Sequence, residues 1–256
     1  MYKEKLLKLI EQKIKIIPHG VDRSIFHSQE RDVKSFKDGK EGQLIEQPSS
    51  SGPFKFLCNK GWRGTSWDRG GVQYVIKAFA EEFSKDEKVE LILKLNPSYI
   101  NPQTIGQAMQ ELNIGEDHPQ ININCDAIPF DKLPLFYNQA DCFVCATRAE
   151  SFDLGTAEAM ACGLPVLTSG YGGQIEHMIE NENALFFDYD MSRVKEDLMY
   201  EEISWCVPKI EDIKKKMRWI FENQDKAKEM GINAEQFIND NFTWDMSADK
   251  IVNSLK

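Results

Sequence analysis

The sequence lacks an apolar run long enough to cross a bilayer, and its first residues lack the apolar core of a signal peptide. Positive charge is also in deficit, since 31 lysines and arginines stand against 41 aspartates and glutamates, a net charge of −10. Such a balance argues against nucleic acid or an anionic membrane as the main partner. These absences predict a cytoplasmic protein with no integral membrane segment.

The six cysteines do not form a metal-binding or disulfide pattern. Most stand in apolar segments, and one pair at ligand spacing, Cys142 and Cys145, falls inside a predicted strand. No second pair of cysteines or histidines at such spacing accompanies it in the sequence. We interpret the cysteines as reduced core residues and predict no metal site.

What the sequence does have is apolar material for a large core, 41% of 256 residues, in short strand-like runs that alternate with amphipathic helices. This alternation predicts an α/β fold with a doubly wound parallel sheet of the Rossmann-like type. We assign the domain to residues 54–256, a flexible linker or insertion to 28–53, and a leading segment to 1–27. Within the leading segment, a helix is predicted over 3–13 and a strand over 14–17. In the domain, strands are predicted at 54–58, 89–95, 121–124, 140–146, 164–169 and 184–187.

The rest of the chain is organised around the stretch from Glu150 to Ser169, which follows one buried strand and ends in the next. Between the two strands, Leu154, Gly155 and Thr156 stand where a loop enters a helix. The free N–H groups and the positive end of the helix dipole at such a point favour a phosphate. Glu150 and Glu158 flank this point, and ionised carboxylates accept hydrogen bonds from hydroxyl groups. A phosphate site with two hydroxyl acceptors favours a nucleotide sugar as the ligand.

The same stretch carries a family resemblance. Seven residues separate Glu150 from Glu158, and Ala-Met-Ala-Cys-Gly-Leu-Pro-Val follows directly. This resembles the E-x7-E signature of retaining glycosyltransferases with the two-domain GT-B fold, in family 4 (glycosyl transferases group 1). The family usually has glycine at the position of Asp153. A side chain there either narrows the approach to the phosphates or contacts the sugar.

The resemblance implies roles for these residues. Glu158 would accept hydrogen bonds from the ribose hydroxyls and Glu150 from hydroxyls of the donor sugar. The N–H groups of Leu154, Gly155 and Thr156 would bind the distal phosphate. The implied activity is retaining transfer of a hexosyl group from a nucleotide-diphospho-sugar, with no cofactor and no divalent metal.

A glycine-rich loop with three cations follows the strand at 54–58. Arg63 and Arg69 match the basic pair with which the family neutralises the donor diphosphate, and Lys60 is a further candidate. The alternative is a solvated loop with ordinary surface charges. By position alone, backbone groups of Ala127 and Ile128 take the place of the family's base-binding loop.

Pro18-His-Gly-Val-Asp22 resembles the turn that leads from the acceptor domain to the donor domain in this family. The resemblance therefore implies that an N-terminal acceptor domain is missing before residue 1. We expect the chain alone to bind a nucleotide sugar without efficient transfer.

Two other functions stay open on the sequence. One is a non-catalytic module that binds nucleotide sugars, for which Asp153 and the missing domain argue. The other is a nucleotide-sugar 2-epimerase, which would isomerise a free UDP-sugar without any acceptor.

Overall fold

The computed structural model describes residues 14–29, 36–37, 44–45, 52–65, 68–194 and 203–255. The predicted helix over 3–13 and most of the predicted linker over 28–53 lie outside these residues. Within the linker, β1 (Phe36–Lys37) and β2 (Leu44–Ile45) pair antiparallel. The domain boundaries therefore stay a prediction.

The central sheet has six parallel strands, which confirms the predicted fold class. The order across the sheet is β5-β4-β3-β6-β7-β8, so the chain first runs outward from β3 and then returns to the other side of it. The strands are β3 (Phe54–Lys60), β4 (Val89–Leu95), β5 (Ile121–Asn124), β6 (Cys142–Cys145), β7 (Val166–Ser169) and β8 (Ala184–Phe187). The direction of winding changes between β3 and β6, where open α/β sheets bind their ligands at the carboxyl ends of the strands.

Helices cover both faces of this sheet. They are α1 (Val72–Glu82), α2 (Pro102–Glu111), α3 (Pro134–Tyr137), α4 (Leu154–Ala161), α5 (Ile210–Glu222), α6 (Gln224–Asn241) and α7 (Trp244–Ser254). Because both faces are covered, every residue of β6 and β7 is buried, and β6 is a continuous apolar run in the sequence.

Two apolar cores result, one on each face. On one face, Val75 and Phe79 of α1 belong to the same core as Ile213 and Met217 of α5, so the apolar sides of both helices face that core. On the other face, Met160 of α4 belongs to the same core as residues of α6. No helix in the described part of the chain is long and apolar enough to span a bilayer.

The strand predicted over 14–17 is wrong. Residues 14–20 form no ladder, and only Val21 makes a bridge, to Thr243, with its N–H donating to Phe242 O at 2.8 Å. An apolar run becomes a strand only where a neighbouring strand can take its backbone hydrogen bonds, and here the chain contacts the start of α7 instead.

A hairpin that the sequence reading missed follows the main sheet. Its strands, β9 (Tyr189–Arg193) and β10 (Ser204–Pro208), pair antiparallel in a separate two-stranded sheet. Tyr, Trp and Val in these strands have high β-propensity, a signal that was available. The hairpin matters because Arg148, beside the central stretch, is buried against it.

Candidate functional site

The candidate site lies where the winding of the sheet changes direction. Strand β3 ends at Lys60, and β6 ends at Cys145, next to it in the sheet. The loop after β6 carries Glu150 and leads into α4, which begins at Leu154. The sheet topology thus brings the C-terminal end of β3 next to the N-terminal end of α4, although the two are far apart in the sequence.

Two glycine-rich turns hold the loop that carries Glu150. Gly71 has φ +74°, and a Cβ there would stand 1.7 Å from the carbonyl oxygen of Ala146. On the other side, Gly173 N–H donates to Glu150 O at 2.9 Å, and a Cβ on Gly173 would stand 1.6 Å from Ser151 O. Both turns therefore approach the loop more closely than any larger residue allows.

The buried side chain of Arg148 ties the same loop to the β9–β10 hairpin. Its Nε donates to Cys206 O at 3.0 Å, and its guanidinium lies 5.4 Å from the ring centroid of Trp205. The backbone N–H of Cys206 in turn donates to Arg148 O at 3.0 Å. The hairpin therefore fixes the Glu150 loop from outside the main sheet.

The Glu150 carboxylate is held by two cations and a hydroxyl. Lys60 Nζ lies 3.3 Å from Oε1, and Arg69 Nη1 lies 3.0 Å from Oε2. Thr147 Oγ1 donates to Oε1 at 3.1 Å. The structure thus joins Arg69 and Lys60 to Glu150.

Asp153 turns its side chain inward from a left-handed backbone conformation, with φ 65° and ψ 77°. Its Oδ1 accepts from Lys60 Nζ at 2.5 Å and from Thr156 N–H at 3.4 Å, and its Oδ2 accepts from Cys145 Sγ at 3.3 Å. Asp153 is therefore the N-cap of α4 and the partner of a cation at the end of β3.

Lys60 and Asp153 form a buried ion pair, with side chains 10% and 1% exposed. Burial by itself lowers the pKa of Lys60 and raises that of Asp153. The attraction between the two groups, together with their hydrogen bond and the weaker interactions with neighbouring groups, outweighs burial, so the pKa of Lys60 is raised and that of Asp153 is lowered. Both groups are therefore charged at neutral pH.

The buried His177 contacts Thr156 in the first turn of α4. Thr156 Oγ1 donates its one proton to Asp153 O at 2.8 Å, so the contact of 3.0 Å to His177 Nε2 requires the imidazole to be the donor there. His177 Nδ1 is buried, and the described part of the chain offers it no hydrogen-bond partner. Burial lowers the pKa of His177 to about 4, so the ring is neutral at pH 7.

Glu158 is the fifth of the eight residues of α4, and it lies at the end of a short polar chain. Asn59 Nδ2 donates to the hydroxyl of Tyr137 at 3.0 Å, and that hydroxyl donates to Glu158 Oε2 at 2.8 Å. Burial raises the pKa of Glu158 to about 7, although the hydrogen bond from Tyr137 lowers it. The carboxylate is thus oriented and close to half protonated at neutral pH.

The structure places the other predicted residues apart from this cluster. The guanidinium of the exposed Arg63 lies 5.8 Å from the ring centroid of Tyr99, and its backbone N–H donates to Asp68 Oδ2 at 2.6 Å. Ala127 is exposed in the loop after β5, and Ile128 packs partly against the second core. Their proposed contacts with a ligand stay predictions.

Several residues of the site were missed by sequence reasoning, and Lys60 was only a reserve candidate. The missed residues are Asn59, Tyr137, Cys145, Thr147 and His177. Except for Thr147, which lies three residues before Glu150, each acts through a partner at least eight residues away in the sequence, and such a contact is not visible in a local pattern. Asn59 and Lys60 do, however, end a buried strand beside the glycine-rich loop, and that position was available as a signal.

The side chains that could bind a metal ion are the next feature of the structure. All six cysteine thiols are free, and among the described residues no group of three or more His, Cys, Asp or Glu side chains is placed to hold an ion. The sequence also contains an Asp-x-Asp triplet at Asp188–Asp190. Asp190 in it pairs with Lys209 at 3.3 Å on the surface.

A cavity of about 580 Å³ opens at the opposite edge of the sheet, at the amino ends of the strands. Its lining includes Phe54, Asp141, Gly163, Lys228 and Glu235, and it contains none of the predicted site residues. The convergent charged groups at the carboxyl ends of β3 and β6 make that edge the better candidate.

Comparison with known proteins identifies the family. The family model described as Glycosyl transferases group 1 matches residues 61–199, more than half of the chain. A curated relative, the alpha-monoglucosyldiacylglycerol synthase of Streptococcus pneumoniae, is 29% identical over 99 residues, which are 39% of this chain and 21% of the relative. The chain spans less than a third of the length of each curated relative it matches.

Solved structures share the fold. The C-terminal domain of a glycosyl transferase group 1 family protein from Francisella tularensis matches with a TM-score of 0.62 and 18% identity, over 88% of this chain and 99% of that one. The Anabaena protein HepE, solved in complex with UDP and glucose, matches with a TM-score of 0.63 and 17% identity, over 94% of this chain and 56% of that one. At these identities the likeness establishes the fold alone.

Proposed function

The chain belongs to the glycosyl transferases group 1 family, and from that premise we propose that it binds the donor of a retaining hexosyltransferase. The donor is a nucleotide-diphospho-sugar. An acceptor-binding domain on the N-terminal side would complete the enzyme. The two-domain proposal is in keeping with the match to HepE, of which this chain spans 56%.

One observation carries the proposal. Two oriented carboxylates, Glu150 and Glu158, flank the N-terminus of α4 at the point where the sheet winding reverses. Lys60 and Arg69 hold the first, and Tyr137 holds the second. A hydroxyl-rich ligand with phosphate groups fits acceptors and cations in this arrangement.

Each group then has a part in binding. Glu158 accepts from the ribose hydroxyls, and Glu150 accepts from hydroxyls of the sugar. The N–H groups of Leu154 and Gly155 lie in the first turn of α4, where the helix has no preceding carbonyl to accept their hydrogen bonds. They therefore bind the distal phosphate. The N–H of Thr156 joins them when Asp153 releases it.

Cationic side chains neutralise the diphosphate as it leaves, which is the part that a divalent metal plays in other phosphate chemistry. Arg69 is half exposed beside Glu150 and can move to a phosphate oxygen. Arg63 reaches the ligand by leaving Tyr99, a contact worth about 0.5–1 kcal/mol at an exposed site.

The first experiment is a thermal-shift panel of UDP, GDP, ADP and dTDP on residues 1–256. A nucleotide at about 100 times its Kd adds about 2.7 kcal/mol to the free energy of unfolding. We expect one member of the panel to raise Tm clearly more than its nucleoside does. Equal shifts for nucleotide and nucleoside would argue against a phosphate site.

Replacing Glu158 tests the ribose contact. Glu158→Ala is expected to weaken nucleotide binding by about 1.5–3 kcal/mol, because hydrogen bonds to a charged acceptor are lost. Calorimetry gives the Kd, and far-UV circular dichroism checks that the fold is kept. An unchanged Kd would remove Glu158 from the site.

The raised pKa of Glu158 gives this contact a pH dependence. Only the ionised carboxylate accepts from two hydroxyls, so nucleotide affinity rises with pH through about 7. Glu158→Gln is expected to remove this component and leave the titration of the ligand's phosphate. Without ligand the sign reverses: the folded state favours the protonated acid, so the contribution of Glu158 to stability falls between pH 4.5 and about 7.

Arginine variants separate phosphate binding from base and ribose binding. Arg69→Ala is expected to weaken the nucleoside diphosphate about tenfold, leave the nucleoside almost unchanged, and flatten the salt dependence of binding. Arg63→Ala is expected to act in the same direction by a smaller factor. Equal losses for nucleotide and nucleoside would mean that the loop itself has collapsed.

A further inference from the structure

The Asp153 carboxylate lies where the ligand's phosphate is proposed to bind, at the N-terminus of α4. Its side chain is 1% exposed, so it forms no part of the surface that a sugar can touch. Its two oxygens already accept from Lys60, Thr156 and Cys145, at 2.5, 3.4 and 3.3 Å. A fixed internal anion therefore occupies this helix end.

The groups that Asp153 engages are the ones that a phosphate oxygen would use. Lys60 is a buried cation, and its charge is cancelled by Asp153 at one oxygen and shared with Glu150 at 3.3 Å. The N–H of Thr156 is one of the first-turn donors of α4, and it too is taken. A phosphate that approaches α4 thus meets neutralised partners and a nearby negative charge.

We propose that Asp153 is a specificity-determining residue that competes with the ligand's phosphate and penalises each additional negative charge at this helix end. This inference rests on the proposed function, because it assumes that a nucleoside diphosphate group binds at α4. It concerns the strength and the charge preference of that binding.

The charge preference separates donor from product. The terminal phosphate of a free nucleoside diphosphate has a second pKa near 6, as phosphate monoesters do, whereas the same phosphate esterified to a sugar has no second proton to lose. At neutral pH the released nucleotide therefore carries about one more negative charge than the nucleotide sugar. Asp153 repels that charge, so the site discriminates against the nucleotide once the sugar has left.

The backbone at Asp153 permits clean variants. Asparagine tolerates the left-handed conformation at φ 65° and remains an N-cap, so Asp153→Asn removes the charge and keeps the shape. Asp153→Gly removes the whole side chain at a backbone angle that glycine prefers. Asp225→Asn, at the start of α6 beside the opposite cavity, changes net charge equally and is the matched control.

The test is calorimetric titration of the wild type and these three variants with uridine, UDP and UDP-glucose, or with the matching set for the nucleoside that the panel selects. We expect Asp153→Asn to bind UDP about tenfold tighter and UDP-glucose about threefold tighter, with uridine unchanged. Asp153→Gly is expected to show the same order, and Asp225→Asn no change. Tighter binding of UDP by both Asp153 variants than by the wild type would support the inference, even where the wild type binds too weakly to measure.

Three negative results are distinguishable. Wild-type binding of UDP, with equal or weaker binding by both folded Asp153 variants, would overturn the inference and leave the proposed function standing. Absence of binding of every panel nucleotide to the wild type and to both Asp153 variants would overturn the proposed function and this inference with it. Equal gains for UDP and UDP-glucose would overturn the charge preference.

Discussion

Lys60→Met is expected to lower the free energy of unfolding by about 3–5 kcal/mol, because it leaves the Asp153 carboxylate buried without a cation. Methionine keeps the length and most of the volume of the lysine chain, so packing changes little. The effect should be large because the Asp153 side chain is 1% exposed and water cannot replace Lys60. Urea unfolding followed by circular dichroism measures it.

Two controls make the result specific. Lys60→Met combined with Asp153→Asn is expected to recover at least half of the loss, because no unpaired charge then stays buried and Asn still caps Thr156. Lys132→Met, which breaks an exposed pair with Asp131 at 3.4 Å, is expected to cost less than about 1 kcal/mol. If the double variant is no more stable than Lys60→Met alone, the buried charge is not the cause.

The second large effect is expected at Gly71. Gly71→Ala places a Cβ 1.7 Å from Ala146 O at a φ of +74°. The unfavourable φ costs about 1–2 kcal/mol and the overlap about 1–3 kcal/mol more, so we expect a loss of about 3 kcal/mol. Since Gly71 abuts the strand end that leads to Glu150, the loop shifts and nucleotide affinity falls as well.

Gly106→Ala is the matched control for this variant. Gly106 is in α2, and a Cβ there has no atom within 4 Å. Replacing it is expected to raise the free energy of unfolding by about 0.5–1 kcal/mol, the usual preference of a helix for alanine over glycine. Urea midpoints of the two variants should move in opposite directions. A stable Gly71→Ala protein with unchanged nucleotide affinity would contradict the close packing described here.

Much of the sheet was predictable because each strand is a short segment rich in apolar residues, which is visible in the local sequence. β4 and β5 were predicted at their observed bounds, 89–95 and 121–124. Both strands have apolar β-branched or leucine residues at alternate positions, the pattern that a strand with one better buried face requires. The strand over 14–17 failed for a different reason: in the part of the chain that the structure describes, no strand lies beside it to complete a ladder.

The chemistry of the site was only partly predictable. The sequence predicted Glu150 on the loop and Glu158 in the first helical turn; the structure has Glu150 on the loop before α4 and Glu158 at the fifth residue of the helix, one turn later than predicted. Their partners were not visible in the sequence. Lys60 and Glu150 are 90 residues apart, and Tyr137 meets Glu158 through a contact between separate helices.

The sequence by itself therefore determined the fold class, the central strand–loop–helix–strand unit and the pair of acids, because each depends on residues within a few positions of one another. Only the tertiary structure decided which cation meets which acid. The parallel register of β3 against β6, with Phe56 opposite Cys142, brings the end of β3 beside the loop before α4 and so places Lys60 there. It also decided the direction of Asp153, because its contacts with Lys60 and Cys145 turn that carboxylate inward. Such contacts are set by how whole elements pack, and no local pattern of residues encodes them.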